Sequence, residues 1–245
     1  MKNLFSRVML IWAGLVFILS MLVFLPAIWI SGFWPEPRRT SLLLNISRVW
    51  IAIFFLLSGI RLRIRGKEKF KTGQQYVVVC NHNSMLDVPI TSPGIPGANK
   101  TIAKIEIARV PVFNIIYKRG SVLVDRSSDR SRRDSYLKMR QVLEGGMHMC
   151  IYPEGTRNKT GRPLKDFQDG AFKLAVDAGK PIMPAIIFGT ARMLPNDKPF
   201  RFIPGKVEMH FLDPISPGPE ETVKELKEKT FRIMWDYYEQ NQGKY

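Results

Sequence analysis

Apolar positions along the chain keep three different periods. Val8 to Ile30 is an uncharged run of 23 residues. At about 1.5 Å rise per residue, a helix of that length crosses a ~30 Å hydrocarbon core. Pro26 stands near its end, where it is expected to kink or end the helix. A second apolar stretch, Ser41 to Ile60, is broken by Asn45 and Arg48, and its clean part, Val49 to Ile60, has only 12 residues. That is too short to span, and an arginine in mid-bilayer costs roughly 2.5–3.5 kcal/mol. The pair is therefore expected to form a helical hairpin or a shallow interfacial element. One spanning helix followed by a helix packed on the body is the alternative. Trp12, Trp29, Trp34 and Trp50 suit a membrane interface. The first run exceeds the ~7–15 residues of a signal-peptide core, and no small-x-small site follows it, so a retained anchor is expected.

Arg61 to Lys67 then alternates charged and apolar residues with the period of a strand. Beyond residue 75, short apolar runs alternate with helical spacing. Tyr76 to Cys80, Gly120 to Val124, Met147 to Tyr152, Ile182 to Phe188 and Lys206 to Leu212 read as strands. Ser131 to Leu143 has helical spacing and is stopped by Gly145 and Gly146. Ala171 to Ala178 is a short helix ended by Gly179, and Glu220 to Gln240 a closing helix with Glu/Lys pairs. This order predicts an α/β domain with a largely parallel central sheet flanked by helices. The division expected is an anchor over residues 1–60 and an α/β domain over 61–245.

Charge adds a partner to this picture. The chain of 245 residues carries 37 Lys+Arg against 21 Asp+Glu, a net charge of +16. Only five of the basic residues precede Arg61, whereas six lie between Arg61 and Lys71 against Glu68 alone. A basic body on an apolar arm fits an anionic membrane or a phosphorylated lipid. Nucleic acid accounts for the charge but not for the arm, and is not expected as a partner. Two cysteines exclude a disulfide scaffold, and three histidines leave little room for an all-histidine metal site.

Two strand ends carry chemistry. Tyr76–Cys80 runs into Asn81-His82-Asn83-Ser84-Met85-Leu86-Asp87. On one continuous helix His82 and Asp87 would lie about 140° apart. They can meet if His82 sits on the loop leaving the strand and Asp87 at or near the start of the next helix, as its N-cap. The carboxylate then fixes the imidazole tautomer and leaves Nε2 as a base. The second end is Tyr152-Pro153-Glu154-Gly155-Thr156-Arg157, where glycine permits close backbone approach and arginine offers a fork suited to phosphate. Parallel sheets place ligands beyond such strand ends. A lone His–Asp pair more often serves structure. His148 and His210 within strands are expected to be structural, and Cys80 and Cys150 to be core.

Four blocks occur in order: NHxxxxD, GSVLVDR (Gly120 to Arg126), PEGTR (Pro153 to Arg157) and PIMPAIIFG (Pro181 to Gly189). Over residues 75–215 the chain resembles the glycerolipid acyltransferase family, in its bacterial form. The resemblance implies acyl transfer from an acyl thioester, acyl-CoA or acyl-ACP, to the sn-2 hydroxyl of 1-acylglycerol 3-phosphate. Glycerol 3-phosphate or another lysolipid is the alternative acceptor. It makes His82 the general base and Asp87 its orienting carboxylate. It assigns Arg126 and Arg157 to the acceptor's phosphate, Glu154, Gly155 and Thr156 to acceptor binding and turn formation, Lys104 to the phosphate's vicinity, and Pro184 to pocket shape. No resident cofactor or metal is implied. The implied partners are a lysophospholipid, the thioester donor, an anionic membrane and acyl-carrier protein. The implied place is the cytoplasmic side of a bacterial inner membrane. Tyr152 stands where the family commonly has Phe, and Asn158 where it has Ser; neither is expected to touch the chemistry. A lipid hydrolase using the same pair and a non-catalytic anionic-lipid binder are the rival readings.

Overall fold

The structure, a computed structural model, describes residues 2–125, 127–198 and 200–244. Two long helices come first, α1 (Lys2–Ile30) and α2 (Arg38–Leu57). Then follow β1 (Ile60–Arg65), β2 (Val77–Cys80), α3 (Asp87–Gly94), β3 (Asn99–Lys104), α4 (Phe113–Gly120) and β4 (Ser121–Val124). The remainder is α5 (Asp129–Glu144), β5 (His148–Ile151), α6 (Gly170–Ala178), β6 (Ile182–Phe188), α7 (Thr190–Met193), β7 (Gly205–Phe211) and α8 (Val223–Asn241). The seven strands form one sheet in the order β1-β7-β6-β2-β5-β3-β4, parallel throughout except for the β6–β7 pair. The largely parallel α/β sheet expected from the strand and helix order is present.

Alternation along the buried strands builds two cores. Val78 and Cys80 of β2 face α1, α2 and α3, whereas Val77 and Val79 face α5, α6 and α8. β2 lies between β5 and β6, and β2, β5, β3 and β4 all end on the same sheet edge. His82, Glu154 and Lys104 follow or end three of these strands. Arg126, two residues past β4, lies outside the described residues.

The two apolar stretches do form a hairpin, and its second arm packs on the α/β body. Trp50 Nε1 donates to Ser20 Oγ at 2.9 Å and Trp12 Nε1 to the Leu57 carbonyl at 2.9 Å. Phe17 lies 5.2 Å from the rings of both Trp50 and Phe54. α1 keeps most of its apolar side chains exposed, whereas Leu43, Trp50, Ile51 and Phe54 of α2 are buried in the sheet's core. Both helices are long and apolar enough to cross a membrane. Two expectations need correction. Pro26 does not end α1, which continues to Ile30. Arg48 is no burden on an apolar span: its guanidinium donates to the carbonyls of Pro93, Ile95 and Gly97 at 2.9, 2.9 and 3.2 Å. It thus satisfies the orphan carbonyls at the C-terminal end of α3.

Candidate active site

The chain leaves β2 at Cys80 and is held open by Asn81, whose side chain imitates a strand. Its Oδ1 accepts the Ile187 N–H at 2.7 Å and its Nδ2 donates to the Ile187 carbonyl at 3.0 Å. This pairing on β6 fixes where His82 begins. Asp87 is the first residue of α3 and Leu86 its N-cap, so the expected capping role is corrected. The carboxylate turns back on the loop instead. Its Oδ2 accepts the N–H groups of Asn83 and Ser84 at 2.7 Å each and lies 2.8 Å from His82 Nδ1. Asp87 is fully buried. An oxygen that already accepts two N–H donors is an acceptor for the imidazole too, so the proton sits on Nδ1 and Nε2 carries the free lone pair.

The segment after β5 completes the frame. The His82 N–H donates to Glu154 Oε1 at 2.8 Å, and the His82 carbonyl accepts the Asn158 N–H at 2.6 Å. Glu154 is buried, and its other oxygen accepts the Lys165 N–H at 3.0 Å. Both oxygens accept backbone N–H groups, so Glu154 holds the loop. Gly155 takes φ +72°, which side chains rarely adopt; a Cβ there would meet only Gln168 at 3.5 Å, so conformation and not space requires glycine. Tyr152 stacks on the imidazole with centroids 4.2 Å apart and planes 22° apart. Its hydroxyl shares a hydrogen bond of 2.7 Å with Thr91 Oγ1. The two residues expected to be remote from the chemistry, Tyr152 and Asn158, therefore both touch His82. Only the adjacency of β2 and β5 brings them there.

His82 and Arg157 open on a cavity of about 570 Å³, otherwise lined mainly by apolar side chains of α1, α2, α3 and α4. Such a volume accommodates a small ligand or an acyl chain. Arg157 is exposed, with one nitrogen 3.2 Å from Asn196 Oδ1, and Asn196 Nδ2 donates to the Asn83 carbonyl at 2.6 Å. Thr156 is exposed and accepts from Lys165 Nζ at 3.0 Å. Lys104 ends β3 on the same sheet edge, exposed, and does not line the cavity. Pro184 does not line it either. It lies in β6, and its carbonyl accepts the Leu212 N–H at 2.8 Å just past the end of β7.

A family model described as Acyltransferase matches residues 61–188. The chain belongs to the acyltransferase family. Among its relatives, the 1-acyl-sn-glycerol-3-phosphate acyltransferase alpha of Bos taurus is 32% identical over 183 residues, 74% of this chain and 62% of that protein. The match thus spans less than two thirds of the bovine protein's length. The 1-acyl-sn-glycerol-3-phosphate acyltransferase of Haemophilus influenzae is 27% identical over 168 residues, 68% of each chain. In fold, the crystal structure of the 1-acyl-sn-glycerophosphate (LPA) acyltransferase PlsC from Thermotoga maritima superposes with a TM-score of 0.82. It is 22% identical and covers 98% of this chain and 97% of its own.

Within this acyltransferase chain the two other histidines and the two cysteines lie away from the cavity lining. His148 Nδ1 accepts the Tyr76 N–H at 3.1 Å, and burial pushes its pKa down to about 4, so it is neutral. His210 lies between Glu208 Oε2 at 2.8 Å and the Tyr237 hydroxyl at 2.9 Å. Cys80 and Cys150 are free thiols buried in the core, and burial pushes the Cys80 pKa well up. Among the described residues no group of three or more His, Cys, Asp or Glu is placed to hold a metal.

Burial pushes the Glu154 carboxyl from its ordinary 4.5 up to about 7, against the pull of its two N–H donors. Between those pH values the folded protein keeps a proton that the unfolded chain has released. Its contribution is complete below pH 4.5 and is lost as pH rises to about 7, at most roughly 3 kcal/mol. Melting curves of the detergent-solubilised protein across this range are expected to show the decline in the native chain and not in Glu154→Gln. Parallel curves would mean that Glu154 is ionised throughout.

Proposed function

We propose that this chain transfers a fatty acyl group from an acyl thioester to the sn-2 hydroxyl of 1-acylglycerol 3-phosphate, giving phosphatidic acid, with His82 as general base. The observation that carries the reading is an imidazole locked by a buried carboxylate, with Nε2 free, at an apolar cavity that also holds Arg157. An acyl chain fits the cavity wall, a phosphate fits the guanidinium, and a hydroxyl between them meets the base. The names of the bovine and Haemophilus relatives support the same acceptor.

The steps follow from that placement. Nε2 takes the hydroxyl proton as the oxygen attacks the thioester carbonyl, and positioned general-base catalysis contributes typically about 10²–10⁴-fold. The Asp87 carboxylate stabilises the imidazolium that forms. The tetrahedral intermediate collapses with cleavage of the C–S bond, and the imidazolium returns its proton to the leaving thiolate. No enzyme nucleophile takes part. Anchoring the phosphate holds the hydroxyl in line, which is an entropic contribution to rate. The exposed apolar face of α1 keeps the cavity at the membrane where the lysolipid resides. The inner face of a bacterial cytoplasmic membrane is the proposed location.

The test is a panel of lysophosphatidate, glycerol 3-phosphate and neutral lysolipids, each offered with acyl-CoA and acyl-ACP. Acylated lysophosphatidate is the expected product; free fatty acid alone would mean a hydrolase. Arg157→Ala is expected to raise the acceptor KM roughly 10–100-fold and leave the donor KM alone. An unchanged acceptor KM would mean that the acceptor carries no phosphate at this position.

A further inference from the structure

A second cavity, of about 580 Å³, is lined in part by sequence neighbours of Leu194 and Phe202, which line the first. Arg192, Lys198, Arg201, Lys206 and Lys244 line it, and among the described residues no carboxylate does. Among the described residues none of these five cations has an ion-pair partner. The backbone brings them together where β6 turns into α7. Gly189 has φ +88°, and a Cβ there would lie 2.4 Å from the Lys206 carbonyl, so only glycine lets the turn close on β7.

Residues within 193–198 and 200–203 contribute to the lining of both cavities. Leu194 and Phe202 line the apolar one with His82 and Arg157, whereas Met193, Pro195, Arg201 and Ile203 line the basic one. The same segment is tied to the catalytic loop. Ser84 Oγ donates to the Leu194 carbonyl at 2.8 Å, and Asn196 Nδ2 to the Asn83 carbonyl.

We propose that the basic cavity binds the phosphates of a coenzyme A thioester, the acyl donor; this rests on the acyl-transfer reading above. A concave site with five cations and, among the described residues, no carboxylate in its lining calls for a compact ligand with several negative charges. One phosphomonoester carries about −1.5 to −2, less than the site offers. The acceptor's single phosphate is already served by Arg157. Coenzyme A brings a pyrophosphate and a 3′-phosphate, separated from the reacting carbonyl by the pantetheine arm. Its phosphate site must therefore stand apart from His82 yet adjoin the catalytic cavity, as this one does. The convex acidic surface of a carrier protein fits the concavity less well.

Donors distinguish the possibilities. The native protein and the Arg201→Gln/Lys206→Gln double variant are assayed with acyl-CoA, acyl-carrier protein and S-acyl-pantetheine, which lacks the phosphates. The kcat/KM for acyl-CoA relative to S-acyl-pantetheine is expected to fall about tenfold or more in the variant, through KM. Equal losses with both donors, no loss, or a loss confined to the carrier-protein donor overturns the proposal. A titration of free coenzyme A by calorimetry needs no turnover. Native binding that weakens with salt and by a similar factor in the variant supports the site even if no donor is turned over, which would remove the acyl-transfer reading alone. Native protein that binds no coenzyme A removes the site.

Discussion

His82→Ala is expected to lose at least about 10²–10⁴-fold in acyl transfer and to keep its fold. The catalytic loss follows from the free Nε2, the one unoccupied base at the cavity with a buried carboxylate behind it. Retention of the fold follows from how the residue is held. Its backbone N–H donates to Glu154 and its carbonyl accepts from Asn158, and both bonds survive truncation. What is lost is the Nδ1 contact and the stack on Tyr152, while Asp87 keeps its two backbone donors. The stability cost is therefore expected to be about 1–2 kcal/mol. The check is transfer of a labelled acyl group in detergent together with a melting curve. Full activity in this variant would discard the general base and the hydrolase alternative together.

The parts of the molecule that follow a simple period are legible from the chain. β2 and β6 are uninterrupted apolar runs and β5 is apolar after His148, and the chemistry sits where they stop. Less legible is β3, because its buried face is polar. Asn99 and Thr101 point inward, and Asn99 is tolerated there because its Nδ2 donates to the Ser92 carbonyl at 2.9 Å and its Oδ1 accepts from Ser92 Oγ at 3.0 Å. α4 is eight residues long with no buried side chain, too short for its pattern to declare itself. In the site, the spacing of His82 and Asp87 announces the pair. The surroundings that aim the imidazole depend on contacts across strands. Tyr152 reaches His82 from β5, and Asn81 reaches Ile187 on β6, so sequence order gives no hint of either. Arg48 makes the same point in the hairpin: its charge argues against a span until its partners, the carbonyls after α3, are known.

Asp87→Asn is the sharper test of the mechanism, because it keeps the shape and removes the charge. In the native chain one oxygen takes three donors: His82 Nδ1 and the N–H groups of Asn83 and Ser84. The amide oxygen can keep the backbone pair, but its NH₂ group then occupies a buried position where the native Oδ1 has no hydrogen-bond partner. The imidazolium formed during proton transfer loses its counter-charge, while an amide oxygen in the Oδ2 place still accepts from Nδ1. A loss in kcat is expected from the missing counter-charge, up to about 10⁴, the size seen when a serine-protease triad loses its carboxylate and takes the wrong tautomer as well. The acceptor KM should change far less, since Arg157, the proposed phosphate anchor, is untouched. Asp87→Ala removes the acceptor for all three donors in a fully buried position, and is expected to cost roughly 2–5 kcal/mol in stability as well. The two variants separate the roles. If the Asp87→Asn protein is folded and inactive, the charge serves catalysis; if it is folded and turns over at the native rate, the carboxylate only shapes the loop and His82 works without it.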